Sequence, residues 1–416
     1  MSSVRVTRPW GLRVMNAVGS AVRAAGVPLL ALDESTLLAR AARRTGLSDF
    51  GDSFFREPLR VLLHAFEHEA ALNTLGRFIA RTDVVRLLEN RLRMTNERKR
   101  HREIDAGATE RPIFIVGLPR TGTTILHELL AQDPMNRVPM TWEVMHPWPP
   151  PERTTYDTDP RIAQVEKHFS GVDRLIPNFK AMHPMGAQLP QECVAMTAHD
   201  FASMLFTTTH NVPSYQRWLD ESDLRPVYAS HRRQLQYLQW RCPAQRWVLK
   251  SPGHLWALDA LLAVYPDARI VQTHRDPLKV IASLASLVSL LRSMSSDRID
   301  PFAIGAEWTV RLADGLEKAT MVRNRLLRDP GQIFDMQFAE LVGNEIAMVR
   351  RIYAHFGLKL TSDAEARMQR FLAANPRDKH GAHRYTLADA GLDPAAERQR
   401  YAAYQERFGI VSERDT

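Results

Sequence analysis

A glycine-rich loop is the segment whose residue types could do chemistry most directly. Residues 117–124 read Gly-Leu-Pro-Arg-Thr-Gly-Thr-Thr, follow the apolar run Ile113 to Val116 and lead into a helical pattern that extends to Gln132. Gly117 and Gly122 permit the positive backbone torsions of a tight turn. The first amides of the following helix would carry the positive end of its dipole. The pattern predicts a phosphate-binding loop between a buried strand and a helix.

This loop differs from an ATP-binding P-loop at one decisive position. The spacing fits G-x-x-x-x-G-K-[ST], but Thr123 stands where the lysine would be, and Arg120 is the only cation in the loop. A kinase or ATPase also needs a carboxylate at a strand end to hold Mg²⁺. Two later apolar runs end instead in the cations Lys250 and Arg275. These residues favour group transfer in which protein cations alone neutralise the charge, and they predict no bound metal.

Composition places the chain among ordinary globular proteins. Its 416 residues are 44% hydrophobic and 25% charged, which is enough to bury a large core. Cys193 and Cys242 are too few for a disulfide framework, so a cytoplasmic location is expected. The longest apolar run, Val280 to Leu291, is too short to span a membrane, and Arg13 and Arg23 argue against a cleaved signal peptide. The net charge of +8 favours an anionic ligand.

Hydrophobic periodicity divides the chain near residue 105. Apolar spacing predicts helices at Ser35 to Thr45, Pro58 to Ala80 and Thr82 to Leu92. Short apolar runs followed by helical patterns predict strands at Ile113 to Val116, Trp247 to Leu249, Ala268 to Thr273 and Gln332 to Phe338, with a helix at Glu340 to Phe356. We therefore expect a helical region over 1–105 and, over 106–416, an α/β domain with a helical C-terminal tail. Its core should be a P-loop-like parallel sheet with helices on both faces; an all-α protein is the alternative.

Two separated motifs resemble one known family. The loop Pro-Arg-Thr-Gly-Thr-Thr at 119–124 and the block His-Arg-Asp-Pro at 274–277, with Ser283 beyond it, are similar to those of sulfotransferases, which use 3′-phosphoadenosine 5′-phosphosulfate (PAPS) as donor. The resemblance runs from about Arg111 to Phe356. It implies that the first loop holds the 5′-phosphosulfate and that an arginine and a serine hold the 3′-phosphate. The implied donor-binding residues are Gly117, Arg120, Thr121, Gly122, Thr123, Thr124, Arg275 and Ser283, with Arg384 in the C-terminal tail as a further contact.

Sulfuryl transfer needs a base for the acceptor proton and positive charge at the leaving oxygen. Arg120 lies inside the loop, and Lys250 resembles the strand-end lysine of the family, so both are candidates for the leaving oxygen. Two residues are candidates for the base. Glu143 lies where the protein-tyrosine branch of the family, which also carries an arginine in the first loop, has its catalytic glutamate. His254 resembles the histidine of the cytosolic branch with two extra residues, and it titrates near neutrality without help. The Arg-type loop favours Glu143, and His254 could instead cap a helix.

Several weaker signals receive structural interpretations. Glu192 and His183 could contact the acceptor, but a structural polar role is favoured for each. The H-x-x-E-H pattern at 64–68 fits a zinc motif, yet apolar neighbours favour a solvated helix face. His380 and His383 stand between cations, which favours the adenosine or 3′-phosphate end of the donor over a metal. The basic run Arg91 to Arg102 lacks interleaved aromatics, so we expect no nucleic acid partner.

The sequence as a whole predicts transfer of a sulfuryl group from PAPS to an acceptor hydroxyl or phenol by metal-free in-line displacement. A P-loop kinase or NTPase, and a non-catalytic nucleotide-binding or membrane-surface module, are the alternatives. Apolar surface in the helical region favours a small-molecule acceptor such as a lipid, sterol or aromatic alcohol. The N-terminus, with basic residues around apolar ones, could contact an anionic membrane. The aromatic residues that suggest an apolar acceptor are Phe169, Phe179, Phe201 and Phe206, and the basic residues of the N-terminus are Arg5, Arg8, Arg13 and Arg23.

Overall fold

A five-stranded parallel sheet forms the centre of the protein, in the order β2-β3-β1-β4-β5. The structure is a computed structural model that describes residues 10–26, 29–175, 185–243, 245–327, 329–376 and 386–413. The strands are β1 (Ile113–Gly117), β2 (Asn136–Arg137), β3 (Arg246–Lys250), β4 (Arg269–His274) and β5 (Ile333–Gln337). The prediction of a parallel α/β core is confirmed, and the all-α alternative is wrong.

Helices precede the sheet, cover it and follow it. The helices before the sheet, called the leader here, are α1 (Trp10–Ala24), α2 (Glu34–Thr45), α3 (Arg56–His68) and α4 (Thr74–Arg100). Those up to β3 are α5 (Thr123–Leu130), α6 (Thr141–Met145), α7 (Pro160–Leu175), α8 (Cys193–Thr197), α9 (Met204–Thr209), α10 (Pro213–Glu221) and α11 (Arg225–Gln239). The remainder are α12 (Leu258–Val264), α13 (Pro277–Ser293), α14 (Pro301–Leu326), α15 (Phe338–Leu341), α16 (Glu345–His355), α17 (Ser362–Ala374) and α18 (Pro394–Phe408).

The central strand β1 is buried on both faces, as its continuous apolar sequence requires. Ile113 and Ile115 pack into one apolar core, with α5 and α16. Phe114 and Val116 point to the opposite face and pack into a second core, with α12, α13 and α14. Helices therefore cover both faces of the sheet.

The leader shares an apolar core with the rest of the chain. Residues of α2, α3 and α4 pack together with residues of α9 and α10. Phe66 of α3, for example, meets Phe206 of α9 with their ring centroids 6.4 Å apart. The division near residue 105 stays a prediction, but the leader has no separate core in the part of the chain that the structure describes.

Two predicted helices are interrupted, and in each case local backbone chemistry explains the break. The pattern from Pro58 to Ala80 is split because the Asn73 side chain accepts a hydrogen bond from the Gly76 amide at 2.8 Å and starts α4 afresh. The pattern from Glu340 to Phe356 is split where Gly343 takes a φ of +82°. Periodicity identified the buried faces of these segments but not their ends.

Candidate active site

The phosphate-binding loop is fixed in place by contacts between β1 and β4. A Cβ on Gly117 would lie 2.0 Å from Thr273 Oγ1, so only glycine fits at this strand end. Thr121 donates to the Leu118 carbonyl at 2.6 Å, and its Oγ1 lies 2.5 Å from that of Thr273. These contacts set the path of the loop from β1 to the start of α5 at Thr123.

Two residues of this loop have a left-handed backbone. Gly122, the residue before α5, has a φ of +87°, and Arg120, which is exposed, has a φ of +66°. A non-glycine residue in this region costs about 1–2 kcal/mol, and such strain often accompanies ligand-binding loops. The first amides of α5, those of Thr123 and Thr124, have no acceptor within the helix. They are suited to bind the oxygens of an anion.

Lys250 brings a second cation to the loop. It ends β3, beside β1 in the sheet, and its side chain is only 3% exposed. Its Nζ lies 3.4 Å from Thr124 Oγ1 and forms an ion pair with Glu192. The structure thus gathers Lys250, Thr124 and Glu192 at the carboxyl edge of the sheet, where α/β proteins bind their ligands.

Glu192 contacts Lys250, and the sequence does not predict this contact. It stands directly before α8 and keeps 20% of its side chain exposed while it contacts Lys250. The sequence favours a structural polar role for Glu192, and 58 residues separate it from Lys250 along the chain. No local signal marks it, because only tertiary packing joins the two residues.

Glu143 occupies a closed hydrogen-bond network. Its side chain is fully buried. One carboxylate oxygen accepts from Arg137 at 2.6 Å, and the other accepts from the Met140 amide and the Tyr156 hydroxyl, each at 3.0 Å. Burial raises the pKa of the Glu143 carboxyl, and the Arg137 guanidinium opposes that rise. The geometry gives Glu143 a part in holding α6 in place and does not expose it to an acceptor, in contrast to the sequence-based preference.

His254 is also enclosed. It lies in the 3-10 turn Pro252–Leu255, and its ring is 1% exposed. Nδ1 lies 2.6 Å from the Tyr228 hydroxyl, and the ring packs edge-on against Phe114. Burial holds the pKa of His254 well below its usual range, so the ring is neutral near pH 7. The capping interpretation is wrong, because Ser251 caps the turn by accepting from the Gly253 amide at 3.0 Å.

Arg275 follows β4 and is engaged by the C-terminal tail. Its guanidinium donates to both carboxylate oxygens of Glu413, at 2.7 and 2.9 Å, and to the Arg120 carbonyl at 2.8 Å. It also stacks 4.1 Å above the Phe338 ring. Ser283 lies further along the next helix, α13. The tail carboxylate therefore occupies the arginine to which the sequence assigned a 3′-phosphate.

Other predicted contacts have different outcomes. Arg384, His183, His380 and His383 lie outside the described residues. In the H-x-x-E-H pattern, the Glu67 carboxylate accepts a hydrogen bond from the Arg77 guanidinium at 2.6 Å. Among the residues that the structure describes, no group of three or more His, Cys, Asp or Glu could hold a metal ion.

The basic run at the end of α4 is largely paired within the protein. Arg91 contacts Asp200 at 2.5 Å, Arg98 contacts Asp105 at 2.6 Å, and Lys99 pairs with Asp49. This pairing agrees with the expectation that the run binds no nucleic acid, which stays a prediction. Within the described ranges, no helix has the length and apolar character needed to cross a membrane.

Comparison with known proteins identifies relatives of one kind. Residues 112–363 match the family described as the Sulfotransferase family. The chain is 27% identical over 298 residues to omega-hydroxy-beta-dihydromenaquinone-9 sulfotransferase Stf3 of Mycobacterium bovis and of Mycobacterium tuberculosis, which covers 68% of this chain and 71% of each relative.

Solved structures extend the similarity to the leader. Sulfotransferase STF1 from Mycobacterium tuberculosis H37Rv is 35% identical, with a TM-score of 0.80, and the match covers 89% of this chain and 98% of that one. Sulfotransferase STF9 from Mycobacterium avium is 31% identical, with a TM-score of 0.85, and the match covers 91% and 97%. A match over so much of the chain includes much of the leader as well as the sheet.

Proposed function

The chain belongs to the sulfotransferase family and is an enzyme of that class, and from this premise we propose that it takes the sulfuryl group from PAPS and transfers it to a hydroxyl of a lipid or aromatic alcohol. The observation that carries the donor assignment is the position of Lys250. A buried cation from the neighbouring strand meets a phosphate-type loop that lacks the P-loop lysine. Protein cations there can neutralise the charge of the moving group.

We assign the chemical roles from this arrangement. The amides of Thr123 and Thr124, with Arg120, bind the phosphosulfate oxygens. The acceptor oxygen forms a bond to sulfur while the bond from sulfur to the 5′-phosphate oxygen breaks, and Lys250 neutralises the charge on that leaving oxygen. Glu192 accepts the acceptor proton. Because Lys250 and Glu192 are paired beforehand, recruitment of the lysine to the phosphate releases the carboxylate for this task.

A kinase or NTPase remains the competing enzymatic hypothesis, and its metal requirement distinguishes it. The ends of β3 and β4 carry Lys250, His274 and Arg275, where a Mg²⁺-binding carboxylate would be expected. We propose that the reaction needs no metal ion. Turnover with PAPS should then persist in EDTA, whereas the competing hypothesis requires ATP with Mg²⁺.

Nucleotide titration tests the donor site. Adenosine 3′,5′-bisphosphate (PAP) should bind tightly by calorimetry, and Arg275→Ala should weaken it by at least about 30-fold, because loss of a charged contact costs about 2–5 kcal/mol. Adenosine 5′-phosphate should lose little. Equal loss for both nucleotides would place Arg275 away from the 3′-phosphate, and tight binding of ATP with Mg²⁺ alone would contradict the donor assignment.

Glu413 supplies a matched control for this titration. Since its carboxylate holds Arg275, Glu413→Gln should tighten PAP by a few-fold; a partly exposed ion pair is worth about 1 kcal/mol or less. Affinity for adenosine 5′-phosphate should not change. Weaker PAP binding in this variant would show that the tail supports the nucleotide site instead of competing with it.

The acceptor assignment follows from a relative. The relative Stf3 is named for a menaquinone-derived lipid. In this chain, Phe201 and Phe206 join the apolar core that the leader shares with α9 and α10, Phe169 lies in a smaller cluster, and Phe179 falls outside the described residues. We propose an apolar alcohol in preference to a saccharide, and a cytoplasmic location, with which two free, buried cysteines agree.

Helix α1 supports a contact with membrane lipid. Its polar side faces α4, where the Leu75 amide donates to Asn16 at 3.0 Å and Arg23 donates to Thr74 at 3.3 Å. Its opposite side leaves apolar residues in solvent, and the helix carries two arginines and no acidic residue. The exposed apolar residues are Trp10 (73%), Val14 (41%), Met15 (39%) and Val18 (58%). An exposed apolar face on a helix that carries basic and no acidic residues fits an anionic lipid surface.

Vesicle binding tests this contact. The protein should co-sediment with phosphatidylglycerol-containing vesicles more than with pure phosphatidylcholine, because anionic lipid adds about 1 kcal/mol per nearby arginine. Triple replacement of Trp10, Val14 and Val18 by serine should abolish this binding. A matched triple replacement on the exposed face of α14, at Phe302, Val310 and Met321, should leave it intact. Equal loss in both variants would contradict a role for α1.

A further inference from the structure

An apolar cavity lies between the leader and the sheet-containing core. It encloses about 200 Å³, and its walls come from α4, α6, α8, α9 and the C-terminal end of α13. Its lining includes Ile79, Val144, Ala195, Phe206 and Leu291. The space is several times the roughly 30 Å³ that a water molecule takes up in the liquid. We call it the leader cavity, and it can hold part of an apolar ligand.

The leader cavity begins close to the proposed chemistry. Ala195, in its wall, lies three residues after Glu192, which stands directly before α8, and three residues of chain span at most about 11 Å. Both residues are only partly buried. Leu291, also in the lining, lies eight residues, or about 12 Å, along α13 from Ser283. An acceptor at Glu192 can therefore extend into the cavity.

One polar atom in the wall is without a partner inside the protein. His210 is 9% exposed, and its Nε2 accepts or donates no hydrogen bond, while the ring packs 4.6 Å from that of Phe66. Burial lowers the pKa of His210 to about 4, so the ring is neutral near pH 7. Buried polar atoms without a partner are uncommon in folded proteins.

We propose that the leader cavity binds the apolar body of the acceptor while the acceptor hydroxyl reaches Glu192 and Lys250. The inference rests on the proposed function and narrows its substrate class to long-chain alcohols. The lining is mainly apolar, and its apolar side chains supply binding energy for a chain of methylene groups.

Narrowing the cavity from both sides tests the proposal. Ala195→Leu fills it from α8, Ile79→Trp fills it from α4, and Ala373→Leu on an exposed part of α17 is the control. For 1-dodecanol, either cavity variant should lower kcat/KM by at least about tenfold, since excluding two methylene groups has that effect. For 1-butanol, which is too short to reach the cavity, kcat/KM should be unchanged in both cavity variants. In the Ala373→Leu control, kcat/KM should be unchanged for both alcohols. Equal losses for the two alcohols would overturn the proposal.

Binding of a ligand that cannot react tests the cavity proposal independently of the proposed function. Methoxyoctane has an apolar chain but no hydroxyl, and its binding can be followed by displacement of a fluorescent apolar probe. Both cavity variants should bind it at least about tenfold more weakly than the wild type and the control do. If the cavity variants lose methoxyoctane affinity while no alcohol is sulfated, the cavity binds an apolar chain and the proposed acceptor is wrong. If the variants bind methoxyoctane as the wild type does, the cavity proposal fails whatever the turnover.

Discussion

Replacement of Lys250 by methionine should slow the sulfuryl-transfer step by about 10²- to 10³-fold. Loss of one preorganised group that stabilises developing charge has an effect of this size, and Lys250 is a buried cation whose Nζ lies 3.4 Å from Thr124 Oγ1. Methionine keeps much of the volume and removes only the charge. Single-turnover kinetics with labelled PAPS measure the step, and PAP affinity should fall much less than the rate, because PAP has no charge to develop.

A double variant distinguishes a catalytic role of Lys250 from the effect of leaving Glu192 without its ion pair. Removing Lys250 leaves Glu192 as a partly buried carboxylate without its ion pair, which by itself destabilises the site. Lys250→Met combined with Glu192→Gln removes both charges, so thermal stability should partly recover while the rate stays low. Recovery of the rate in the double variant would mean that the lysine serves only to balance Glu192.

The fold and the donor loop could be predicted because their signals are local. The continuous apolar sequence of β1 reflects burial on both faces, and the glycines of the loop reflect two sharp backbone requirements within six residues. Gly117 is needed for close contact with Thr273, and Gly122 for a positive φ. Because these requirements determine the types of residues that are close in sequence, a short stretch of sequence is enough to recognise the loop.

The acceptor side could not be predicted in the same way, because long-range packing determines it. Glu192 meets Lys250 across 58 residues, and Glu413 meets Arg275 across 138. Glu143 was preferred by position, yet Arg137, six residues earlier, folds back and closes its network. A carboxylate that is buried and one that faces a reaction have the same letter in the sequence, and only tertiary structure distinguishes them.

Carboxylates hold two of the cations assigned to the donor. Glu192 pairs with Lys250, and Glu413 pairs with Arg275. Donor phosphates would exchange with these carboxylates, so cations that are partly removed from solvent never stand without a counter-charge, which would be costly. The exchange also sets the order of events. Glu192 becomes available as a base only after a donor phosphate has paired with Lys250.

Replacement of Glu192 by glutamine should slow single-turnover sulfuryl transfer by about 10²- to 10⁴-fold, because it removes the proton acceptor and keeps the shape of the side chain. PAP affinity should be unchanged or slightly higher, since the glutamine competes less strongly for Lys250. His254→Ala should have a mild effect on the rate, because burial already keeps the His254 ring neutral and enclosed. An acid limb near pH 6–7 that disappears in His254→Ala would contradict this assignment.

Glu143→Gln is the matched control, and its expected defect is of a different kind. It leaves Arg137 buried without its carboxylate, and breaking such a pair costs about 3–5 kcal/mol. The melting temperature should therefore fall, while the folded fraction should turn over at a near-normal rate. Loss of a base lowers the rate of the folded enzyme, whereas loss of a structural carboxylate lowers the amount of folded enzyme. The reverse pattern, in which Glu143→Gln is stable but slow and Glu192→Gln turns over normally, would therefore return the role of base to Glu143.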